Sequence, residues 1–518
     1  MRFFIPAVFL SAFLLFQVQP VIARYILPWF GGGPGVWTTC MLCFQVGLLG
    51  GYAYAHLIAM HLNPRRQVVV HAGLLALSLV LLPITPTEPT TLGHPVLEIV
   101  LLLSATVGVP YLLISASGPL LQSWSARVDT GRSPYRLYAI SNAGSLLGLL
   151  AYPFFFEPRF KLTEQTWIWS ACYVLFVILV TLCGRKLWVA AAAGEVMVPS
   201  RSATSLGDGK EEARPVAALD RVLWVALAAC ASTLLLATTN QICQNVAVVP
   251  LLWILPLSLY LLSFIITFDH DRWYRRQFWF PFTGVAVAIV VWLLLQDYEN
   301  QVVHIWYQVA LYGAMLFGCC MVCHGELVRL RPATRYLTSF YLMVALGGAL
   351  GGVFVSLVAP GIFDGFWELH AGLLGTFLAA GAVILRERER ITRPGMRWLA
   401  ASAGALAFLT LAGFLALHIS IHRDGSIDSR RSFYGVLNVY RDTPGTESES
   451  LLLNHGRINH GKQFLEERYA NLPTAYYAYG SGIGVAIRHH PNRWGLPDGE
   501  GRPLEVGVVG LGTGTLPA

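Results

Sequence analysis

Thirteen apolar stretches of membrane-spanning length follow one another along the first 420 residues, and this succession limits the fold more than any other feature. They cover 3–23, 36–60, 68–85, 95–122, 137–156, 166–184, 221–240, 249–268, 279–296, 302–323, 336–359, 367–385 and 397–419. A bilayer core takes about 20 apolar residues per helix. Lipid offers no partner to the backbone, so stretches this long and this close together read as helices that satisfy their own amides. The expected fold class is mainly α, a polytopic transmembrane helix bundle. Charge supports this: 36 Lys+Arg and 29 Asp+Glu make up 13% of 518 residues, against about a quarter in a soluble domain. Ten basic and ten acidic residues of that total fall in 421–518, which marks a water-soluble end piece. Disorder, collagen-like repeats and a small disulfide scaffold are excluded. The first stretch also has signal-peptide features, Arg2 and a cleavage-like Val21-Ile22-Ala23, but its apolar run is long for one.

The loops sort by charge. Arg65 and Arg66; Arg127, Arg132 and Arg136; Arg185 and Lys186; Arg272, Arg275 and Arg276; Arg329, Arg331 and Arg335; and Arg386, Arg388 and Arg390 all follow even-numbered stretches. The intervening loops are nearly free of Lys and Arg, with Arg159 and Lys161 the main exception. This alternation assigns the basic loops to the cytoplasm of a plasma (inner) membrane protein. It sends the tail to the far side, whereas Arg423, Arg430 and Arg431 pull it toward the cytoplasm, so its side stays open. The reading divides the chain into 1–194, a first helix set; 195–218, a polar linker rich in Ser, Gly and Ala; 219–420, a second helix set; and 421–518, the soluble piece. No internal sequence repeat relates the two sets. Gly347, Gly348, Gly351 and Gly352 read as a helix-packing face.

The net charge of +7 does not indicate nucleic acid, because the basic residues are scattered among loops and form no basic face. The lipid bilayer is the expected partner. All nine cysteines lie in or beside apolar runs, as thiols acting as small hydrophobes do. Cys320-Met-Val-Cys323-His324 matches the haem-attachment pattern C-x-x-C-H. It sits at the end of an apolar span on the cytoplasmic side, so packing thiols are expected, with no haem and no metal. Gln17, Gln45, Asn142, Asn240, Gln241, Gln244, Asn245 and His370 lie at membrane depth or near span ends. Such groups either line a solute path or bond between helices. Glu326, near a basic loop, reads as a surface ion partner.

The tail changes style. Arg431–Tyr440 alternates and reads as a strand; Ser450–Asn454 and Arg457–Phe464 read as a strand pair around His455-Gly456; 481–490 reads as a short helix. Leu504–Val509 is an apolar strand running into Gly510-Leu-Gly512-Thr-Gly514. A strand feeding a glycine-rich turn suits a nucleotide-like ligand, and a plain strand-to-helix turn is the alternative.

The tail block, with FYGVLNVY, LLLNHGRINHGKQF, PTAYYAYGSGIGVAI and VGVVGLGTGTL in order, resembles the start of a spermidine synthase-like domain. Together with YRLYAISNAGSLL, LATTNQICQN and HGEL…LTSFYLMVALGG in the membrane part, the whole chain is similar to bacterial fused major-facilitator and spermidine synthase-like membrane proteins. The resemblance implies a methyltransferase-like (Rossmann-type) α/β domain. It also implies aminopropyl transfer from decarboxylated S-adenosylmethionine, as co-substrate, to the polyamine precursor putrescine. Gly510, Gly512 and Gly514 would hold the nucleoside; His455, Gln463 and Tyr477 would lie near the substrate entrance. Where the family has Leu-Asp-Gly, this chain has Leu453-Asn454-His455-Gly456, so an acidic substrate contact is missing. The family's ribose-binding acid and catalytic aspartate lie beyond position 518, so the chain as given is expected to be inactive, its catalytic residues unknown. The alternative is a polytopic transporter or sensor of polyamines or other small molecules. A tail on the far side would also be cut off from a cofactor made in the cytoplasm.

Overall fold

The computed structural model describes residues 3–89, 93–128, 135–193, 216–245, 252–296, 304–332, 336–387, 394–456, 458–490 and 507. Most of the 195–218 linker, the strand expected at 504–509 and the glycine loop of Gly510, Gly512 and Gly514 lie outside them. Each of the thirteen expected stretches falls on a helix. These are α1 (Phe4–Phe30), α2 (Pro34–His61), α3 (Pro64–Ser78), α4 (Pro95–Val128), α5 (Tyr135–Ala151) and α6 (Leu162–Ala192). Then come α7 (Ala218–Asn245), α8 (Ile254–Asp269), α9 (Arg276–Gln296), α10 (Ile305–Arg329), α11 (Leu337–Val353), α12 (Glu368–Arg386) and α13 (Pro394–Gly425). Among the described residues ten helices are long and apolar enough to cross a membrane. The chain is a multi-pass membrane protein. Helices α3, α5, α8 and α11 are the shorter ones, at 15, 17, 16 and 17 residues. The apolar run of α3 starts late because Arg65, Arg66 and Gln67 occupy its first turn. Helix α5 passes into a π-turn at Tyr152–Phe156, where Pro153 removes a backbone donor.

The chain divides into two compact units, Met1–Gly361 with Trp367–Gly413, and Ile362–Phe366 with Phe414–Ala518. In the first unit each helix set is built around its own first helix. Helix α1 packs on α4, α5 and α6, and α7 packs on α10, α11 and α12. The sets meet along two seams, α2 with α11 and α5 with α8. Adding six to each helix number of the first pattern gives the second, so the arrangement repeats where no sequence repeat was visible.

Two glycine pairs show the physical basis of that repeat. A Cβ on Gly144 or Gly148 of α5 would overlap the Phe9 or Phe13 carbonyl of α1. A Cβ on Gly347 or Gly351 of α11 would overlap the Val225 or Ala229 carbonyl of α7. Each pair is spaced G-x-x-x-G, which puts both glycines on one helix face. Helices in lipid gain no hydrophobic drive from meeting one another, so close backbone approach through small residues carries the packing. The packing face expected at Gly347–Gly352 is confirmed for Gly347 and Gly351. Gly348 differs, since a Cβ there would meet nothing within 4 Å.

Buried charge gathers at the end of α10 that leads into a basic loop. Glu326 is fully buried, which corrects its reading as a surface ion partner. Arg276 grips both its oxygens, with Nε to Oε1 at 2.6 Å and Nη2 to Oε2. Tyr274 donates to Oε1 at 2.6 Å. Arg276 also reaches Glu387 at 2.7 Å, which pairs with Arg329 at 3.1 Å. A carboxylate in this position needs such partners, because an unpaired buried charge is costly.

The second unit holds a four-stranded antiparallel sheet in sequence order: β1 (Ser426–Ser432), β2 (Gly435–Asp442), β3 (Ser450–His455) and β4 (Ile458–Phe464). The strand expected at Arg431–Tyr440 is instead the end of β1, a two-residue turn and most of β2. Gly435 has φ +147°, a conformation that favours glycine, and so lets the chain reverse there. The pair β3–β4 and the short helix α14 (Gly482–His489) match expectation. Arg423 pairs with Asp364 at 3.2 Å, and Arg431 donates to the Gly365 carbonyl at 2.6 Å while lying over the Phe366 ring.

Replacing Gly347 or Gly351 by Val is expected to abolish monodisperse protein in detergent, whereas Gly348→Ala keeps it. Fluorescence-detected size exclusion reads both, and equal behaviour of the three variants would contradict the packing role.

Candidate functional site

The two seams leave a cavity of about 170 Å³ within the first unit, walled by α1, α2, α4 and α5 from one set and α7, α8 and α11 from the other. Its apolar wall mixes aliphatic side chains with aromatic ones, among them Phe44, Tyr111, Tyr260, Phe264 and Tyr341. No Asp, Glu, Lys, Arg or His lines it among the described residues. Its polar groups are hydroxyls and amides. Three of its four serine hydroxyls are spent on their own helices: Ser11 donates to Val8 O at 2.9 Å, Ser115 to Leu112 O at 2.8 Å and Ser145 to Ser141 O at 3.1 Å.

The amides behave differently. Gln45 donates through Nε2 to Ser232 Oγ at 2.9 Å, and Ser232 donates in turn to the Gly348 carbonyl at 2.8 Å. This relay links α2, α7 and α11. Gln122 on α4 and Asn142 on α5 are 4% and 9% exposed, yet neither side chain forms a hydrogen bond among the described residues. The buried atoms left without a partner are Gln122 Oε1 and Asn142 Nδ2. Gln19 Oε1 and Gln45 Oε1, on the same lining, are also buried without a partner. An unsatisfied buried amide group costs roughly 1–3 kcal/mol, so these four atoms on the cavity lining form an unfilled set of hydrogen-bonding sites.

The polar residues singled out by sequence separate into two groups. Gln45 and Asn142 line the cavity. Asn240 donates to the fully buried Glu368 at 3.3 Å and Gln241 donates to Tyr312 at 3.4 Å, so both hold helices together. His370 is buried edge-on against Trp367. Gln19, Gln122 and Ser232 were not singled out. A Gln inside an apolar span was the available signal for the first two; nothing local marked Ser232.

In the second unit His455 and His460 stack with ring centroids 5.9 Å apart, and His460 Nδ1 lies 3.4 Å from the Tyr476 hydroxyl. Gln463 donates its amide to the Ala470 carbonyl at 2.6 Å, which commits it to a turn. Tyr477 is buried against Tyr476. Gly510, Gly512 and Gly514 lie outside the described residues. No group of three or more His, Cys, Asp or Glu able to hold a metal occurs among the described residues. Cys320, Cys323 and His324 are fully buried along α10, with Cys323 facing Thr376 at 3.8 Å.

No family model matches the chain, and no curated protein matches it. Among solved structures it is similar to the inward-open xylose transporter XylE from E. coli, with 15% identity over 73% of this chain and 94% of that one and a TM-score of 0.46. It is also similar to a peptide transporter POT, with 12% identity, 76% and 95% coverage and a TM-score of 0.47. A third is the nucleoside transporter NupG, with 11% identity, 74% and 99% coverage and a TM-score of 0.43.

Two outcomes follow from the geometry. Gln122→Leu and Asn142→Leu each remove an unsatisfied amide, so each is expected to raise stability by about 1 kcal/mol. An upward shift of the melting midpoint in detergent reads this, and a downward shift would show that the amides are satisfied. In the sheet, burial and then the neighbouring His460 hold the His455 imidazole below the ordinary histidine range, against a Tyr434 backbone contact that raises it. His460→Gln should therefore move the His455 titration midpoint upward, read by NMR; no movement would remove His460 as a cause.

Proposed function

We propose that the membrane unit is a carrier for small uncharged solutes with several hydrogen-bonding groups, and that the cavity between the helix sets is its binding site. The observation that carries this is the pair Gln122 and Asn142, buried on the cavity wall with their amides unspent. A solute that supplies the missing donors and acceptors recovers their desolvation cost. Aromatic rings cover its apolar faces. The absence of any charged side chain from the described lining favours a neutral cargo over a polyamine, whose ammonium groups would need carboxylates. The seams supply the moving parts. His56 meets Thr338 at 2.9 Å at one end of α2–α11, and Ser356 donates to the Thr38 carbonyl at 3.0 Å at the other. Opening the cavity to either side requires breaking one tie and keeping the other.

The tail's aminopropyl-transfer reading rests on the resemblance and on a glycine loop outside the described residues. Arg423 and Arg431 contact Asp364 and Gly365 of the α11–α12 connection within the second unit. Charge alternation assigns that connection to the face opposite the basic loops, away from decarboxylated S-adenosylmethionine. This favours the carrier reading.

Proteoliposomes test it. Labelled D-xylose and uridine serve as uncharged probes and putrescine as the charged one. Uptake of an uncharged probe is expected, with a loss of about tenfold in Gln122→Leu or Asn142→Leu, the equivalent of one lost hydrogen bond. Uptake of putrescine alone would overturn the neutral-cargo reading.

A further inference from the structure

The two helix sets balance their basic ends differently. In the second set Arg276 pairs with Glu326 and Glu387, Arg329 with Glu387, Arg331 with Asp271 and Arg386 with Asp220. In the first set Arg65 and Arg66 open α3, and Arg185 and Lys186 lie near the end of α6. None of these four has an ion-pair partner among the described residues. The described carboxylates of this set are Glu88, Glu98, Glu157 and Glu164. All four lie in or next to the α3–α4 and α5–α6 connections, on the membrane face opposite the basic loops. The cations therefore form a patch that this set does not neutralise.

Packing gathers the patch. Helices α3 and α6 run antiparallel and side by side. Ser78 and Tyr173 share a hydrogen bond at 2.6 Å toward one end, and a Cβ on Gly184 would press on Val68 at 2.7 Å toward the other. Beyond that close approach Arg65 donates to the Ala191 carbonyl at 3.5 Å and lies 5.7 Å over the Trp188 ring. Lys186 holds its ammonium 4.9 Å over the Phe3 ring. Tryptophan near the end of a span marks the level of the lipid headgroups. Deeper along the same two helices the exposed side chains are aliphatic, with Val69, Leu74 and Leu77 on α3 and Leu175 and Ile178 on α6.

Four cations held this close repel one another, and the first turn of α3 adds to the cost, because a helix N-terminus favours acidic residues over basic ones. An anion in the patch relieves the repulsion. Arginine selects phosphate among anions, since its guanidinium can give two parallel hydrogen bonds to it. The aliphatic flank narrows the choice further. A phosphate that carries acyl chains covers both the cations and the flank, whereas a soluble anion covers the cations alone. Basic groups between helices on the cytoplasmic side, at headgroup level, fit such a lipid.

We propose that the basic end of the α3–α6 pair binds an anionic glycerophospholipid, with its phosphate held by Arg65, Arg66 and Arg185 and its chains along the aliphatic flank. Lys186, turned to Phe3, adds to the local positive field. The carboxylates Glu195, Asp208, Glu211 and Glu212 of the linker are the competing partners for these cations, and they offer nothing to the flank. The site stands whatever the cavity carries.

Lipid titration of the full chain in a neutral detergent tests this, with bound lipid counted by native mass spectrometry. Dioleoylphosphatidylglycerol and dioleoylphosphatidylcholine share their chains and differ in net charge. The first is expected to bind more tightly, and to lose at least about tenfold in the double variant Arg65→Gln/Arg185→Gln. The matched variant Arg272→Gln/Arg275→Gln removes two arginines from a basic loop of the second set, beside Asp269 and Asp271, and should bind as the unmodified protein does. Equal loss in both variants would show only the attraction of any basic surface and overturns the site, as does equal binding of the two lipids. In the unmodified protein, raising NaCl from about 50 to about 500 mM should weaken phosphatidylglycerol binding, a readout that needs no variant; binding indifferent to salt overturns the charge argument. Displacement of the lipid by excess inorganic phosphate overturns the lipid assignment. Binding that appears only after the four linker carboxylates are replaced by amides assigns the cations to the linker and also overturns it.

Discussion

Close contact between helix backbones is the constraint on which the membrane unit depends. In water, burial of apolar side chains would draw these helices together, but lipid is as apolar as leucine and supplies no such drive. The bundle instead relies on Gly144 and Gly148 against α1, and on Gly347 and Gly351 against α7, where a carbonyl fills the space a Cβ would take. These crossings put α1 and α7 at the centre of their sets. Once the sets are formed, only α2–α11 and α5–α8 remain to join them, and the cavity is the space those seams do not fill.

Polarity is distributed in line with its cost. Buried Glu326 is paired with Arg276, where a bidentate contact, a phenol and a second ion pair share the load. The cavity holds no charge among the described residues and carries neutral amides, whose exposure to a dry interior costs less. That difference lets Gln122 and Asn142 stay unpartnered, which stability alone would not favour. His324 is the intermediate case, a titratable group buried neutral with one nitrogen engaged.

Much of this was legible in the chain. Thirteen apolar stretches gave thirteen helices, because a run of twenty apolar residues has few alternatives in a bilayer. The hairpin β3–β4 and helix α14 followed from short-range patterns. Three features misled. RSFYGVLNVY alternates through a turn, so a hairpin looked like a strand. Glu326 sits near a basic loop in sequence, but Tyr274 and Arg276 fold over it. The internal repeat was invisible because only two glycines per half carry it, with unrelated side chains between them.

The sequence by itself determined that the chain crosses a membrane many times, where it crosses, and that its last hundred or so residues are built for water. These depend on composition within single segments, which residues carry with them wherever they fold. Tertiary structure decided which of the polar residues inside the spans face a cavity and which join helices. Gln122, Asn142 and Asn240 are alike in sequence; the first two meet an open wall and the third meets Glu368. The same holds for His71 and His324, one with both nitrogens engaged and one without. A hydrogen-bond partner lies tens to hundreds of residues away along the chain, so only packing can supply it or withhold it.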